Sequence, residues 1–184
     1  MRLVLFLTLS ALAGCASYQN AYAPENMRVD TVPRGNGIII ISTGAPSACI
    51  STSTFLTIQP ASEHEESKSA FTLPVDSSFM KSDFPGHQGN VSVISMPAGN
   101  YKITPQVANI MLKGEIIPVA TFSVSPNENT YIGEYFIPTS CRFDMRVVIN
   151  DKRDRDLLIA TQNNSNIDSA SFTTKLATFV EPQP

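Results

Sequence analysis

Residues 91–105 read VSVISMPAGNYKITP, and this stretch decides the fold class that the sequence predicts. Its first six residues are rich in valine and isoleucine, which favours a β-strand. The segment Pro97-Ala98-Gly99-Asn100 follows, and its proline and glycine are typical of a tight turn. A second strand signal covers residues 101–105. We therefore expect two strands that pair as a hairpin, in a fold built mainly from short strands.

Strand signals of the same kind recur along the chain at short intervals. They cover residues 37–41, 50–58, 71–75, 115–124, 130–137 and 143–148, with turn-forming residues between them. Four consecutive isoleucines at 38–41 indicate a strand that is buried on both faces, and a hairpin is the simplest link to the next strand. We predict a mainly β fold, an antiparallel β-sandwich of about seven strands.

The sequence also predicts one short helix near the C-terminus, at residues 150–160. Asn150 or Asp151 can cap it, and Leu157 and Leu158 supply an apolar patch that can dock on a sheet. Charges of both signs alternate from Asp151 to Asp156. This alternation fits either the solvated face of a short helix or a docking patch for a partner.

The first fifteen residues have the features of an export signal. Arg2 gives a positive start, and residues 3–13 form an apolar run that is too short to span a bilayer. The sequence Leu12-Ala13-Gly14-Cys15 resembles the lipobox of bacterial lipoproteins. The resemblance implies that residues 1–14 are removed as a signal peptide and that the Cys15 thiol receives a lipid with fatty-acid chains such as palmitate. An ordinary signal peptide and a buried N-terminal helix are the alternatives.

The remaining chain divides into three segments. Residues 15–36 have the polar, proline-containing composition of a flexible tether, residues 37–180 form the predicted sandwich domain, and residues 181–184 form a disordered tail. Ala16 is not the aspartate that favours the inner membrane in enterobacterial lipoproteins, so the lipobox resemblance implies the outer membrane, on its periplasmic face. The net charge of −3 argues against nucleic acid as a partner. The charge also has the wrong sign for attraction to anionic lipid, so attachment to the membrane must come from the lipid anchor.

A second resemblance involves residues 96–103, which read MPAGNYKI, and residues 122–133, which read FSVSPNENTYIG. Together they resemble a pattern of bacterial outer-membrane lipoproteins of unknown function, whose domain is similar to the carboxypeptidase-regulatory or transthyretin-like β-sandwich. The likeness covers residues 37–160, although residues 127–129 lack the turn glycine that is usual in the family. It implies a fold but no catalytic residue, because the family has no assigned activity.

Two cysteines remain once Cys15 carries a lipid, namely Cys49 and Cys141. The export signal implies an oxidising compartment, and the two residues show no metal-ligand spacing. We therefore predict a disulfide between them. The alternative is that each is a small buried hydrophobic residue with a free thiol.

Residues that could carry chemistry are few. Residues 63–66 read EHEE, and with the distant His87 they contain enough ligands for zinc, but their spacing matches no ligand motif. We predict no metal site and no cofactor. The chain also lacks the sequence motifs of serine hydrolases, zinc proteases and glycosidases, so we expect no catalytic residues and no enzymatic activity. Tyr131, Tyr135 and Phe136 could form an exposed aromatic surface for a glycan or a protein, or pack in the core.

These observations favour a non-enzymatic envelope lipoprotein whose sandwich binds or supports another envelope protein. A periplasmic or surface module that binds a glycan or small ligand is the alternative, and it requires a concave pocket with polar and aromatic groups. A hydrolase is a third reading, and it requires a pocket that holds a histidine next to a carboxylate. The sequence alone does not indicate which residues would bind the partner.

Overall fold

The computed structural model describes residues 32–50, 53–62, 71–107, 118–139, 141 and 146–180. Its strands are β1 Asn36–Gly44, β2 Thr54–Pro60, β3 Phe71–Pro74, β4 Val91–Pro97, β5 Gly99–Val107, β6 Val119–Val124, β7 Asn129–Phe136, β8 Val148–Asn150, β9 Thr173–Thr174 and β10 Thr178–Val180. The described part of the chain also contains a helix, α1 Arg153–Asn163, and a 3₁₀ turn, Ser169–Ser171.

Several predicted features lie outside the described residues. They are the signal peptide at residues 1–14, the lipid attachment at Cys15, most of the tether at residues 15–36, the EHEE segment at residues 63–66, the first half of the strand predicted at residues 143–148, and the tail at residues 181–184. These features therefore stay predictions.

The strands form two five-stranded sheets. The first sheet has the order β4-β1-β7-β8, with β9 also paired to β7, and the second has the order β10-β6-β5-β2-β3. The predicted mainly β sandwich with a helix near the C-terminus is confirmed, with ten described strands where about seven were expected. Most pairs are antiparallel, but β1 pairs with β7 and β7 pairs with β9 in parallel.

The isoleucine run lies in the centre of the first sheet. Ile39 and Ile41 face the second sheet and join the core between the sheets. Ile38 and Ile40 face the opposite way, into a smaller core that includes Leu157 of α1. Because side chains alternate along a strand, four apolar residues in a row need cover on both faces. The predicted burial of this strand on both faces is confirmed.

Both predicted hairpins are wrong. β1 pairs with β4 and β7, whereas β2 pairs with β3 and β5, so β1 and β2 belong to different sheets. The same holds for β4 and β5, between which Ala98 is the only intervening residue. A hairpin usually needs a loop of at least two residues, so this link carries the chain from one sheet to the other instead of reversing it.

The pairing of β1 with β7 contains a bulge at Gly133. The register shifts between Ile40 and Ile41, and Gly133 has a φ of +108°, a conformation that side-chain-bearing residues rarely adopt. As a result Tyr131 and Glu134, three residues apart, both face α1. A regular strand would put them on opposite faces.

The segment from residue 172 to residue 180, which we call the strap, joins the two sheets. β9 pairs with β7 of the first sheet, and the backbone N–H of Lys175 and of Ala177 then donates to the same strand at 2.9 Å. β10 pairs with β6 of the second sheet. Ala177, between these pairings, is buried in the core between the sheets. The strap therefore connects the two sheets along one edge of the sandwich.

Helix α1 begins at Arg153, a little later than predicted, and its N-cap residue Lys152 makes no side-chain capping hydrogen bond. Leu157 is buried as expected, but Leu158 is 58 % exposed and takes no part in docking. No helix in the described part of the chain has the length and apolar character needed to cross a bilayer.

Candidate functional site

A group of polar side chains lies between α1 and the face of the first sheet that α1 covers. We call it the polar cluster, and its members are Ser42, His87, Tyr131, Glu134, Arg155 and Asp156. Four of them are almost completely buried: Ser42, Tyr131, Glu134 and Asp156. Buried charges are costly unless they are paired and hydrogen-bonded, so the contacts within the cluster decide its role.

Asp156 is the centre of the polar cluster. Its carboxylate accepts hydrogen bonds from Ser42 Oγ at 2.5 Å, from Tyr131 Oη at 2.8 Å and from Arg155 Nε at 2.8 Å. Tyr131 Oη in turn accepts the backbone N–H of Lys152 at 3.0 Å, at the start of α1. Burial, and then the negative charge of Asp156, raise the pKa of the Tyr131 phenol far above its ordinary value. The phenol therefore stays a donor and ties α1 to β7.

Glu134 accepts hydrogen bonds from two side chains that follow it in the sequence, Asn150 and Arg155. Its Oε1 lies 2.8 Å from an Arg155 Nη atom, and its Oε2 accepts Asn150 Nδ2 at 2.9 Å. The Arg155 guanidinium also packs over the ring of Phe84, 4.2 Å from the ring centroid. Burial opposes the charge of Arg155, but its hydrogen bonds to Glu134 and Asp156 outweigh that effect and raise its pKa. Arg155 therefore links the two buried carboxylates.

His87 lies at the rim of the polar cluster. Its ring stacks on Phe84 at a centroid distance of 4.3 Å, and its edge faces Phe136. His87 Nε2 is buried, is 3.6 Å from Glu134 Oε1, and has no hydrogen-bond partner among the described residues. Burial lowers the pKa of His87, although the neighbouring Glu134 opposes this effect, so the imidazole is neutral at pH 7.

The polar cluster acts as a lock that holds α1 on the first sheet. A serine hydroxyl beside a carboxylate could in principle act as a nucleophile. Ser42, however, is fully buried and donates to Asp156, so a substrate cannot reach it. Among the described residues, no three His, Cys, Asp or Glu side chains are placed to hold a metal ion. The alternating charges from Asp151 to Asp156 do not form a uniformly solvated face, because Asp154 is fully exposed whereas Asp156 is fully buried. The docking patch considered for these charges stays a prediction.

The predicted cysteine pair comes together at one end of the sandwich. Cys49 and Cys141 have Cα atoms 5.4 Å apart and sulfur atoms at bonding distance, 2.16 Å. The pair is therefore capable of the predicted disulfide. Cys49 follows β1 and Cys141 follows β7, so a bond between them links the loops after two adjacent strands.

The aromatic residues of β7 are placed in the interior. Tyr131 and Tyr135 are fully buried, on opposite faces of the first sheet, and Phe136 is half-buried. The exposed aromatic surface considered for these residues is therefore wrong for the two tyrosines, and the core-packing alternative is confirmed for them.

Within the described ranges, two groups of apolar side chains are exposed. The first, which we call the tip, consists of Ile50 and Phe79. These residues lie on two loops that meet at an isolated backbone β-bridge between Cys49 and Ser77. The second, which we call the open side, lies where edge strand β8 of the first sheet meets edge strand β10 of the second. Its partly exposed apolar residues are Val148, Leu176, Phe179 and Val180.

A shallow cleft lies beside the open side. It has a volume of about 460 Å³ and is lined by residues of β5, β6, the strap and neighbouring loops, including Asn100, Phe122, Ser123 and Lys175. Ser123 Oγ donates to Asn100 Oδ1 at 2.7 Å, and Lys175 pairs with Glu128 at 2.5 Å. The polar groups of the cleft are therefore partly occupied by hydrogen bonds and an ion pair within the chain.

The sequence analysis missed the polar cluster, although two signals for it were present. Glu134 interrupts an apolar strand, and Asp156 directly precedes three apolar helix residues. A charge within an apolar pattern is a sign of a buried, paired group. The partners themselves could not be identified, because Ser42 and Asp156 are separated by 114 positions in sequence.

The chain matches no protein-family model, no curated protein and no solved structure. The resemblance to bacterial lipoproteins with a transthyretin-like sandwich therefore stays a prediction.

Proposed function

We propose that this protein is a non-enzymatic lipoprotein of the bacterial outer membrane, held by a lipid on Cys15, whose sandwich binds or supports another envelope protein on the periplasmic side. The lipobox-like sequence supports the anchor. The polar cluster supports a non-enzymatic role, because its buried carboxylates are engaged by donors of the chain itself. In the oxidising envelope Cys49 and Cys141 would form a disulfide.

The observation that carries the protein-binding proposal is the open side. β8 and β10 have three residues each, and among the described strands each pairs on one edge only. The two edges are neighbours, because Tyr135 pairs with Ile149 of β8 and its ring contacts Phe179 of β10 at 6.2 Å. Exposed strand edges next to apolar side chains are the surface on which a partner can add a strand.

The partner is therefore a protein that presents an extended segment with apolar side chains at alternate positions. Val180 and Phe179 are 47 % and 42 % exposed, so both are partly embedded in the sandwich and partly available. Backbone hydrogen bonds to β10 would supply affinity, and these side chains would select an apolar partner.

In-cell photocrosslinking tests this surface. A photoreactive phenylalanine analogue at Phe179, and separately at Val148, should give one and the same protein adduct, and Val180→Asp should remove it. The matched control is the same analogue at Leu158, which is 58 % exposed on the far side of α1. No adduct at the open side, or an equal adduct at Leu158, would show that the open side binds no protein.

Lipid attachment is tested separately. Metabolic labelling with a fatty acid should mark the protein, and Cys15→Ser should abolish the label and move the protein into the soluble fraction, whereas Ser17→Ala should do neither. If the Cys15→Ser variant still carries the label and stays with the membrane, the anchor is elsewhere.

The cleft beside the strap favours a second candidate function, the binding of a glycan or other small polar ligand. Asn100, Ser123 and Lys175 supply the donors and acceptors, but Phe122 is buried and offers little aromatic surface to a sugar ring. Ligand-observed NMR with peptidoglycan fragments tests this candidate. Ser123→Trp would fill the cleft and should therefore remove the ligand signals. Unchanged signals in this variant would exclude the cleft as the binding site.

A further inference from the structure

The tip has two apolar side chains that project into solvent to an unusual degree. Phe79 is 88 % exposed and Ile50 is 86 % exposed, and the next most exposed large apolar side chain in the described part of the chain is Leu158 at 58 %. We infer that the tip inserts into the surface of a lipid bilayer. The tip is a second membrane contact, and it depends neither on the lipid of Cys15 nor on the protein partner of the open side.

The base of the tip is held firmly by the fold. Cys49 N–H donates to the Asp76 carbonyl at 2.6 Å, and the Asp76 carboxylate accepts Thr54 N–H at 2.6 Å. On the other loop, Phe79 N–H lies 3.4 Å from Ser77 Oγ. Because these contacts already order the two loops, little conformational entropy is lost when the side chains leave water.

The charge around the tip suits an anionic lipid surface. Lys81 is exposed two residues after Phe79. The two carboxylates of the same loop are engaged within the fold, since Asp76 is buried and half-buried Asp83 accepts Val91 N–H at 2.8 Å. Lys81 therefore places an exposed positive charge in the loop that carries Phe79, although the whole protein has a net charge of −3. Lysine beside exposed apolar side chains is typical of protein segments that bind the bilayer interface.

The apolar area also favours a bilayer over a protein. Two such side chains present on the order of 300 Å². A stable protein interface needs about 800 Å² from each partner, with matching shape. A bilayer accepts single protruding side chains without a matching shape, and each buried apolar side chain adds to the binding.

The length of the chain before β1 permits this contact. The tip follows the far end of β1, so about 30 Å separates it from Asn36, where β1 begins. About twenty residues lie between Cys15 and Asn36, and an extended chain of that length reaches roughly 70 Å. The lipid of Cys15 and the tip can therefore contact the same membrane, with the sandwich lying along it.

Tryptophan reporters test the inference directly, because the chain contains no tryptophan. The mature chain with Cys15→Ser, which lacks the anchor, is prepared with Phe79→Trp, with Ile50→Trp or, as the control, with Leu158→Trp. On addition of vesicles of phosphatidylethanolamine and phosphatidylglycerol, the two tip reporters should shift their emission to the blue and be quenched by brominated lipid. The control should show neither change.

Binding variants complete the test. Phe79→Ser should lower the vesicle partition coefficient about tenfold, and Leu158→Ser should leave it unchanged. Lys81→Glu should weaken binding to phosphatidylglycerol vesicles and have little effect on phosphatidylcholine vesicles. Absence of quenching at Phe79→Trp, or equal quenching at Leu158→Trp, would overturn the inference. A discrete protein adduct from a photoreactive group at Phe79 in cells, without lipid quenching, would assign the tip to a protein instead.

Discussion

Removal of the Asp156 carboxylate should be among the most damaging single changes in the protein. In Asp156→Ala, Ser42 and Tyr131 lose the acceptor to which they donate, at sites that are fully buried. Each buried donor left without a partner costs roughly 1–3 kcal/mol. Arg155 keeps Glu134 as a partner and is 31 % exposed, so its own loss is small. We therefore expect the free energy of unfolding to fall by about 2–6 kcal/mol, which is the cost of two such unpartnered donors.

Urea unfolding followed by far-UV circular dichroism measures this change. The matched control is Asp154→Ala on the same helix, whose carboxylate is fully exposed, so the free energy of unfolding should be nearly unchanged. Tyr131→Phe, which removes one of the donors, should cost less than Asp156→Ala. A loss of less than about 1 kcal/mol for Asp156→Ala, or a loss equal to that of the control, would refute the conclusion that the polar cluster locks α1 to the sheet.

Three further predictions follow from single positions. Gly133→Ala should destabilise the protein by about 1–3 kcal/mol in the same urea assay, because Gly133 has a φ of +108° and an added Cβ would lie 2.9 Å from a neighbouring side chain. Gly99→Ala should be tolerated, because the atom nearest to an added Cβ at that position is 3.6 Å away. Equal losses of stability in the two variants would contradict the bulge at Gly133. Burial lowers the pKa of His87 in the folded protein. The contribution of His87 to the free energy of unfolding is therefore fully present above about pH 6.5 and is lost as the pH falls through the folded pKa. His87→Gln should flatten this dependence of the free energy of unfolding on pH. Alkylation of the unfolded, unreduced mature protein should add no group to Cys49 or Cys141, and the mass would reveal two added groups if the thiols are free.

The sequence predicted those features that depend on local pattern. The run of residues 38–41 is isoleucine at every position, which favours a strand and, in a strand, requires cover on both faces. The helix could be placed to within a few residues for the same reason. The partner of each strand depends instead on contacts distant in sequence. The turn at residues 97–100 has the composition of a hairpin turn, yet it links two sheets, because the core between the sheets requires β4 on one side and β5 on the other.

The candidate surfaces could be predicted less well than the fold. A glycine within the apolar strand of β7 is a known sign of a bulge, and it would have placed Tyr131 and Glu134 on one face. The exposure of Ile50 and Phe79 had no signal of this kind, since an apolar residue in a loop can equally turn inward. Val75 and Phe84, in the same irregular segment as Phe79, do turn inward. Only the three-dimensional arrangement separates the two cases.

The strap also determines when the sandwich can close. It is synthesised after every other described strand, yet it pairs with both sheets and supplies Ala177 to the core between them. A nascent chain that still lacks these residues has two sheets without the segment that joins them. Contacts between segments far apart in sequence form late in folding, because long loops must close first. A lipoprotein exported to the envelope, as proposed here, would therefore complete the core between its sheets only after these last residues have been exported.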